Sequence, residues 1–302
     1  METFFATLVS ASLIVTWFGA GEATPERIAL LYPSCSNGLR YEASAASNAM
    51  TLETAELKPF GRAETGWRVY AAQAGATIGT ACAPDTKRFA SQLAKWQSRH
   101  RIKPTGAMSE PTLAALKQVW QGARPFIAAF AEGSCPAPAA DHDLADAKPR
   151  EGWLGKQTEL DADALKALRK MVAAARAEDR RIARDKQMLT IVSAYRSPEY
   201  DAARCAGGKC NGIAKAKCSA HRTGTAVDLY VGAAPGFSPV SSDDKNRLHQ
   251  TKTPTYRWLV ANAARFGFVN YVFEPWHWEW AGDEVQLAAK PRIGTALPGR
   301  AH

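Results

Sequence analysis

Residues 219–231 read Ser-Ala-His-Arg-Thr-Gly-Thr-Ala-Val-Asp-Leu-Tyr-Val. A loop here runs into a strand, because Thr225–Val231 (TAVDLYV) has the apolar, β-branched make-up of a buried strand. His221 and Asp228 stand seven residues apart. On one continuous strand they would face opposite sides. Gly224 between them permits a bend, so His221 can sit on the loop and Asp228 on the strand. Upstream, Met188–Ala194 (MLTIVSA) is a second β-rich run. Asp161 to about Ala183 reads as a helix with the stripe Leu165, Leu168, Val172 and Ala175. Pro198–Cys205 starts a short helix. Downstream, Thr253-Pro254 opens a helix with Tyr256, Leu259, Val260 and Ala263 on one side. Phe266–Phe273 and Trp276–Trp280 are further strand candidates. Helices and strands mix without a regular βαβ alternation, so the class is α+β.

The first half is patterned differently. Phe89, Leu93 and Trp96 recur at i, i+4 and i+7, one face of a helix. Ile102, Pro104, Thr105 and Gly106 make a turn. Ser109-Glu110-Pro111-Thr112 has the form of a helix start, and Leu113, Leu116 and Trp120 continue the stripe. Residues 134–152 hold prolines among small and polar residues and read as a linker. Residues 24–80 show no clear period and stay unassigned.

The chain has 302 residues, room for about two domains. With 46% hydrophobic and 22% charged residues it is not a disordered chain, and 22 scattered glycines with 17 prolines exclude a collagen-like one. The net charge of +9 favours an anionic partner: nucleic acid, anionic lipid or an acidic wall polymer. No nucleic-acid motif accompanies it, so no nucleic-acid partner is expected. Phe4–Ala20 carries no charge and precedes the small-x-small site Gly21-Glu22-Ala23. Residues 1–23 are therefore expected to be an export signal, either cleaved or kept as a membrane anchor through residues 4–20. The usual positive start is missing; Glu2 stands in its place. The six cysteines, 35, 82, 135, 205, 210 and 218, then imply disulfides. Three lie in each half, so either one bridge crosses between halves or two thiols stay free.

The chemistry concentrates in Ser219–Asp228 and in Glu274-Pro-Trp-His277-Trp-Glu279-Trp. A catalytic zinc wants three N or O ligands and one open position, and His221, Asp228 and His277 supply such a set. Glu274, three residues before His277, is a carboxylate placed to take a proton without binding the metal. Glu279 shares strand parity with His277, as an acceptor for that ligand or as a salt-bridge partner. Trp276, Trp278 and Trp280 share the opposite face, which suits core packing.

These residues resemble a known family. S-x-H-x-x-G-x-A-x-D followed by E-P-W-H is similar to the VanY-type D-alanyl-D-alanine carboxypeptidases. Those belong to the LAS group of zinc metallopeptidases (lysostaphin, D-Ala-D-Ala metallopeptidase, hedgehog). Ser193-Ala-Tyr195-Arg196-Ser197, and Trp258-Leu259 with Asn262-Ala263 and Phe266-Gly267-Phe268, extend the likeness over about residues 188–282. The resemblance implies a small antiparallel sheet with flanking helices, one Zn2+ per chain on His221, Asp228 and His277, and Glu274 as general base. Arg196 would bind the substrate carboxylate or the developing oxyanion, and Ser219 would contact substrate. Residues 86–121, through Trp96-Gln97, Thr105-Gly106 and Pro111-Thr112-Leu113, resemble the peptidoglycan-binding helical domain found beside many wall hydrolases.

The expected division is thus 1–23 signal or anchor, 24–80 unassigned, 81–135 a mainly helical peptidoglycan-binding-like domain, 136–152 linker and 153–302 the zinc carboxypeptidase domain. The implied activity is hydrolysis of the terminal D-Ala-D-Ala bond of peptidoglycan stem peptides, in the periplasm or cell wall. Two alternatives use the same residues: a peptidoglycan endopeptidase, and a non-catalytic zinc protein that binds the wall. No oligomeric state follows from the sequence. Two stretches depart from the family pattern: the insert Cys205–Cys218 with Lys209, Lys215 and Lys217, and the long polar loop Gly232–Thr251, a lid candidate.

Overall fold

Helix ends are where local sequence acts most directly. A computed structural model describes residues 34–36, 40–130, 135–206, 210 and 218–282. The export segment 1–23, its apolar stretch 4–20 and Lys209, Lys215 and Lys217 lie outside the described residues. The helical layer comprises α1 (Glu42–Thr54), a hairpin of β1 (Glu56–Leu57) and β2 (Glu64–Thr65), α2 (Ala71–Ile78), α3 (Lys87–Arg99), α4 (Glu110–Gly122) and α5 (Pro125–Phe130). Thr86 caps α3 by accepting from the Phe89 N–H at 3.2 Å. Ser109 caps α4 in the same way, with Pro111 in the first turn. The Thr105–Met108 turn between them is satisfied by two buried amides. Gln97 accepts from the Gly106 N–H at 2.8 Å and donates to the Ala107 carbonyl at 2.9 Å. Asn48 accepts from the Met108 N–H at 2.7 Å and donates to the Gly106 carbonyl at 3.0 Å. Gly106 is required there: its φ is +73°, and a Cβ would lie 2.6 Å from the Ala90 carbonyl oxygen. Residues 42–78, for which the sequence offers no period, belong to this layer. The inner side of α1 is Ala45, Asn48 and Leu52, too small and polar to read as an apolar stripe.

The rest of the described chain holds β3 (Leu144–Asp146) paired antiparallel with β4 (Glu159–Asp161), then α6 (Ala162–Glu178) and α7 (Arg180–Arg184). Next come β5 (Ile191–Ser193), α8 (Pro198–Cys205), β6 (Ala226–Leu229), α9 (Asp244–Lys252), α10 (Pro254–Asn262), β7 (Phe268–Asn270) and β8 (His277–Trp280). Four strands form one antiparallel sheet in the order β5-β6-β8-β7. This is the α+β architecture with a small antiparallel sheet and flanking helices that the sequence implies. Leu165, Leu168, Met171 and Ala175 of α6 pack with Tyr256 and Leu259 of α10 and with Val227, Trp276 and Trp278 of the sheet. The tryptophan face is therefore core.

The stretch expected to be a linker is structured. Besides β3, it has the Ala139 N–H donating to the Arg222 carbonyl at 2.8 Å, and Cys135 is bridged to Cys218. That disulfide is the one that crosses between halves; Cys35–Cys82 and Cys205–Cys210 close the other two loops. The loop after β6 is pinned from α9. Buried Asn246 accepts from the Ala234 N–H and donates to the Ser238 and Ser241 carbonyls, and buried Gln250 donates to the Gly232 and Pro239 carbonyls. So many satisfied bonds suit a fixed wall better than a lid.

From Cys35 onward the described residues form one compact unit. The apolar core of the helical layer takes in Tyr271, Val272 and Phe273. A buried ion pair joins the same regions. Arg247 of α9 is fully buried, bonds Glu64 of β2 at 3.1 Å and the Tyr70 hydroxyl at 2.8 Å, and donates to the Phe273 carbonyl at 2.8 Å. Removing one partner of such a pair strands the other charge in a medium that solvates it poorly. Arg247→Ala is thus expected to cost roughly 3–5 kcal/mol of stability. Urea unfolding followed by tryptophan fluorescence checks it, and a loss under ~1 kcal/mol contradicts the assignment.

Candidate metal centre

Strand register brings the two halves of the centre together. Asp228 on β6 lies directly opposite His277 on β8, and Ser193 on β5 opposite Asp228. Side chains alternate along a strand, so Glu279 shares the face of His277 while Trp278 turns into the core. His221 arrives from a short 3-10 turn, Ala220–Thr223. Ser219 caps that turn, its hydroxyl accepting from the His221 N–H at 3.3 Å. Gly224 ends it in the left-handed region at φ +72°, the bend that separates His221 from the strand.

Glu274 sits in the tight connection from β7 to β8. Its N–H donates to the Tyr271 carbonyl at 2.7 Å, and the His277 N–H donates to the Glu274 carbonyl at 2.9 Å. The buried Asn270 amide holds the connection, donating to the His277 carbonyl at 2.8 Å and the Glu274 carbonyl at 3.3 Å.

Three ligand-type atoms converge. His221 Nε2 and His277 Nδ1 lie 3.2 and 3.0 Å from Asp228 Oδ1. All three residues are buried, and among the described residues they are the cluster of this kind. Glu274 Oε2 is 4.0 Å from His277 Nδ1, beside the cluster.

The far side of each ligand is occupied. His221 Nδ1 lies 2.8 Å from the Ala194 carbonyl oxygen. A carbonyl only accepts, so Nδ1 carries the proton and Nε2 presents its lone pair. His277 Nε2 lies 3.2 Å from Glu279 Oε1, which holds a proton on Nε2 and leaves Nδ1 as the nitrogen a metal would take. Arg196 Nη2 donates to Asp228 Oδ2 at 3.1 Å, leaving Oδ1 for the cluster. Outer partners of this kind orient metal ligands.

The electrostatics agree with a site for a cation. Burial, the largest influence on His221, keeps its imidazole below the ordinary value and hence neutral. Burial would raise Asp228, but the charge and hydrogen bonds of both imidazoles prevail and hold it far below the usual carboxylate range. Burial also opposes charge on His277. The hydrogen bonds and charges of Asp228 and Glu279 outweigh it and raise the imidazole to about 9. Burial pushes Glu274 up to about 7. Against burial, the Arg124 charge and the His277 hydrogen bond bring Glu279 down to about 2. Two imidazole nitrogens and one carboxylate oxygen, with a proton on His277 Nδ1 for a metal to replace, fit Zn2+; cobalt or nickel would suit the same donors.

Arg196 and Ser219 stand together at the edge of this cluster. Arg196 also donates to the Ser193 hydroxyl at 2.9 Å and to Ser219 Oγ at 3.4 Å, and 21% of its side chain is exposed. Sequence reasoning missed Arg124, which bonds Glu279 from 155 positions away, with no local pattern to announce it. It also missed the Ala194 carbonyl, because backbone acceptors leave no trace in residue type.

Residues 157–283 match the family model described as VanY, D-alanyl-D-alanine carboxypeptidase. No curated protein and no solved structure matches the chain significantly.

The half-buried Glu274 gives a stability prediction. Its folded value of about 7 lies above its ordinary value of 4.5, so its stabilising contribution is present below pH 4.5 and is lost as pH rises through about 7. Glu274→Gln is expected to stabilise the metal-free protein at pH 8, by on the order of 3 kcal/mol, and to do so much less at pH 5. Urea unfolding in chelator at both pH values measures this. An equal or negative change at pH 8 is the contrary result.

Proposed function

We propose that the chain, whose residues 157–283 match the VanY family model, is a zinc-dependent peptidase. It removes the terminal D-alanine from peptidoglycan stem peptides ending in D-Ala-D-Ala. The observation that carries the reading is the convergence of His221 Nε2, Asp228 Oδ1 and His277 Nδ1 beside a half-buried carboxylate that is not itself one of the three. A purely structural metal has no use for Glu274.

When bound by His221, Asp228 and His277, Zn2+ supplies Lewis-acid polarisation of the scissile carbonyl and acidifies the attacking water. Glu274 takes a proton from that water as its oxygen adds to the carbonyl carbon. It then passes the proton to the leaving amine as the C–N bond breaks. One water is consumed, and the products are a stem shortened by one residue and free D-alanine. Burial suits Glu274 to the task, since a base with its value near 7 both accepts and returns a proton at neutral pH. Arg196 is partly exposed and already oriented by Ser193, Ser219 and Asp228. Its fork matches the terminal carboxylate or the oxyanion, and Ser219 lies beside it.

Three disulfides among the described residues support an oxidising compartment, the periplasm or cell wall, where this substrate resides. No helix among the described residues is long and apolar enough to cross a membrane. The likeness of residues 86–121 to a peptidoglycan-binding helical domain supports a second contact with the wall polymer.

Pentapeptide muropeptides incubated with the protein and analysed by mass spectrometry test the reading. The expected result is loss of one alanine, abolished by chelator and reduced by ~10² or more in Glu274→Gln. Cleavage of cross-linked dimers without alanine loss would move the assignment to an endopeptidase. No cleavage with zinc bound would favour the wall-binding alternative. Glu274 works deprotonated, and bound Zn2+ lowers its value further, so the acid limb of kcat/KM is expected at or below about pH 7. An acid limb well above pH 7 would contradict Glu274 as the base.

A further inference from the structure

The metal-facing side of the sheet is completed by a residue from the helical layer. Arg124 stands in the short joint between α4 and α5, and its side chain is 6% exposed. Its Nε and Nη2 donate to Glu279 Oε1 at 2.9 and 2.5 Å. Its Nη1 donates to Gln121 Oε1 at 3.2 Å, and its guanidinium lies over the Tyr271 ring, 4.0 Å from the centroid. The Phe126 backbone N–H, two residues on, donates to Glu279 Oε2 at 3.1 Å. Both oxygens of Glu279 are thus held from α4 and α5, and Oε1 keeps one further approach, taken by His277 Nε2 at 3.2 Å.

This arrangement bears on the metal through tautomer choice. A neutral imidazole has one proton and two nitrogens. With the proton on Nε2, the Nδ1 lone pair faces Asp228 Oδ1 and His221 Nε2. With the proton on Nδ1, that lone pair is lost to the cluster. Asp228 Oδ1, 3.0 Å from Nδ1, holds a proton there while no metal is bound; once a metal displaces it, an acceptor fixed opposite Nε2 keeps the remaining proton in the first form. Glu279 can act as that acceptor only while its own orientation is held, and β8 by itself does not hold it.

We propose that Arg124 is a positioning residue of the metal centre. Through Glu279 it fixes the His277 ring with Nε2 protonated and Nδ1 turned to the metal, so the helical layer is a working part of the centre. The inference rests on the zinc reading above, but its test does not depend on catalysis. An unpaired buried carboxylate would confound Arg124→Met alone, so the comparison uses full-length wild type, Glu279→Gln, Arg124→Met/Glu279→Gln and Arg124→Lys. In Glu279→Gln, Arg124 still holds the amide oxygen toward His277. In the double variant the amide is free to flip and offer N–H to Nε2.

Zinc affinity is measured by competition with a chromophoric chelator. The His277 Nε2–H is followed by 15N-histidine NMR in the zinc-loaded proteins. The expected order of affinity is wild type, then Glu279→Gln, then the double variant, which falls about 10–100-fold below wild type and loses the protected Nε2–H signal. Arg124→Lys restores part of both, because a cation still faces Glu279. Equal affinity and equal Nε2–H signals in Glu279→Gln and the double variant would overturn the proposal. If wild type binds no zinc, the zinc reading fails. The orientation of the His277 ring in crystal structures of the metal-free proteins still decides the role of Arg124: a turned ring only in the double variant upholds it, and an unchanged ring in all of them overturns it.

Discussion

Three ligand-type atoms lie within 4.8 Å of one another: His221 Nε2, Asp228 Oδ1 and His277 Nδ1. Such atoms drift apart unless something holds each from behind. Here the Ala194 carbonyl fixes His221, Arg196 fixes Asp228 and Glu279 fixes His277. The second set of bonds gives the three atoms the outer partners that orient metal ligands. Much of the fold serves this arrangement. The β5 strand ends next to Ala194 and Arg196, the β6–β8 register sets Asp228 opposite His277, and the α4–α5 joint carries the cation that holds Glu279.

The antiparallel sheet solves a geometric problem that the spacing of the ligands poses. His277 lies 49 residues after Asp228, and only strand pairing places two such residues face to face with defined side-chain directions. His221 needs the opposite treatment, an exit from the strand. Ser219 begins that exit by capping the turn and Gly224 ends it. The Cys135–Cys218 bridge, three residues before His221, ties this segment to the end of the helical layer. Burial then sets the electrostatics: the low dielectric strengthens the ion pairs around Asp228 and Glu279 and leaves Glu274 with a raised value.

Much of this was legible in the chain. The α6 stripe of Leu165, Leu168 and Ala175, the capped and proline-started helices and the strand at 226–229 lie where periodicity and turn chemistry put them. The parity of His277 with Glu279 correctly predicted that they share a face and that the tryptophans turn away. Other parts were silent for definite reasons. Helix α1 packs through Ala45, Asn48 and Leu52, so its inner face carries little hydrophobic signal. Residues 136–152 look like a tether in composition. Their order comes from a disulfide, strand pairing and a backbone bond to Arg222, none of which composition encodes.

Local chemistry in the sequence by itself determined the helix starts, the strand faces, the bend at Gly224 and the identity of the residues that could serve a metal. These depend on interactions over a few residues, where spacing and residue type are sufficient. Only the tertiary structure decided which nitrogen of each histidine faces inward, that Arg196 leans on Asp228, and that Arg124 and Glu64 reach across to Glu279 and Arg247. Those choices are made by buried hydrogen bonds and ion pairs between groups up to 183 positions apart. Such pairings are worth forming only once folding has removed water from both partners, so no local pattern records them.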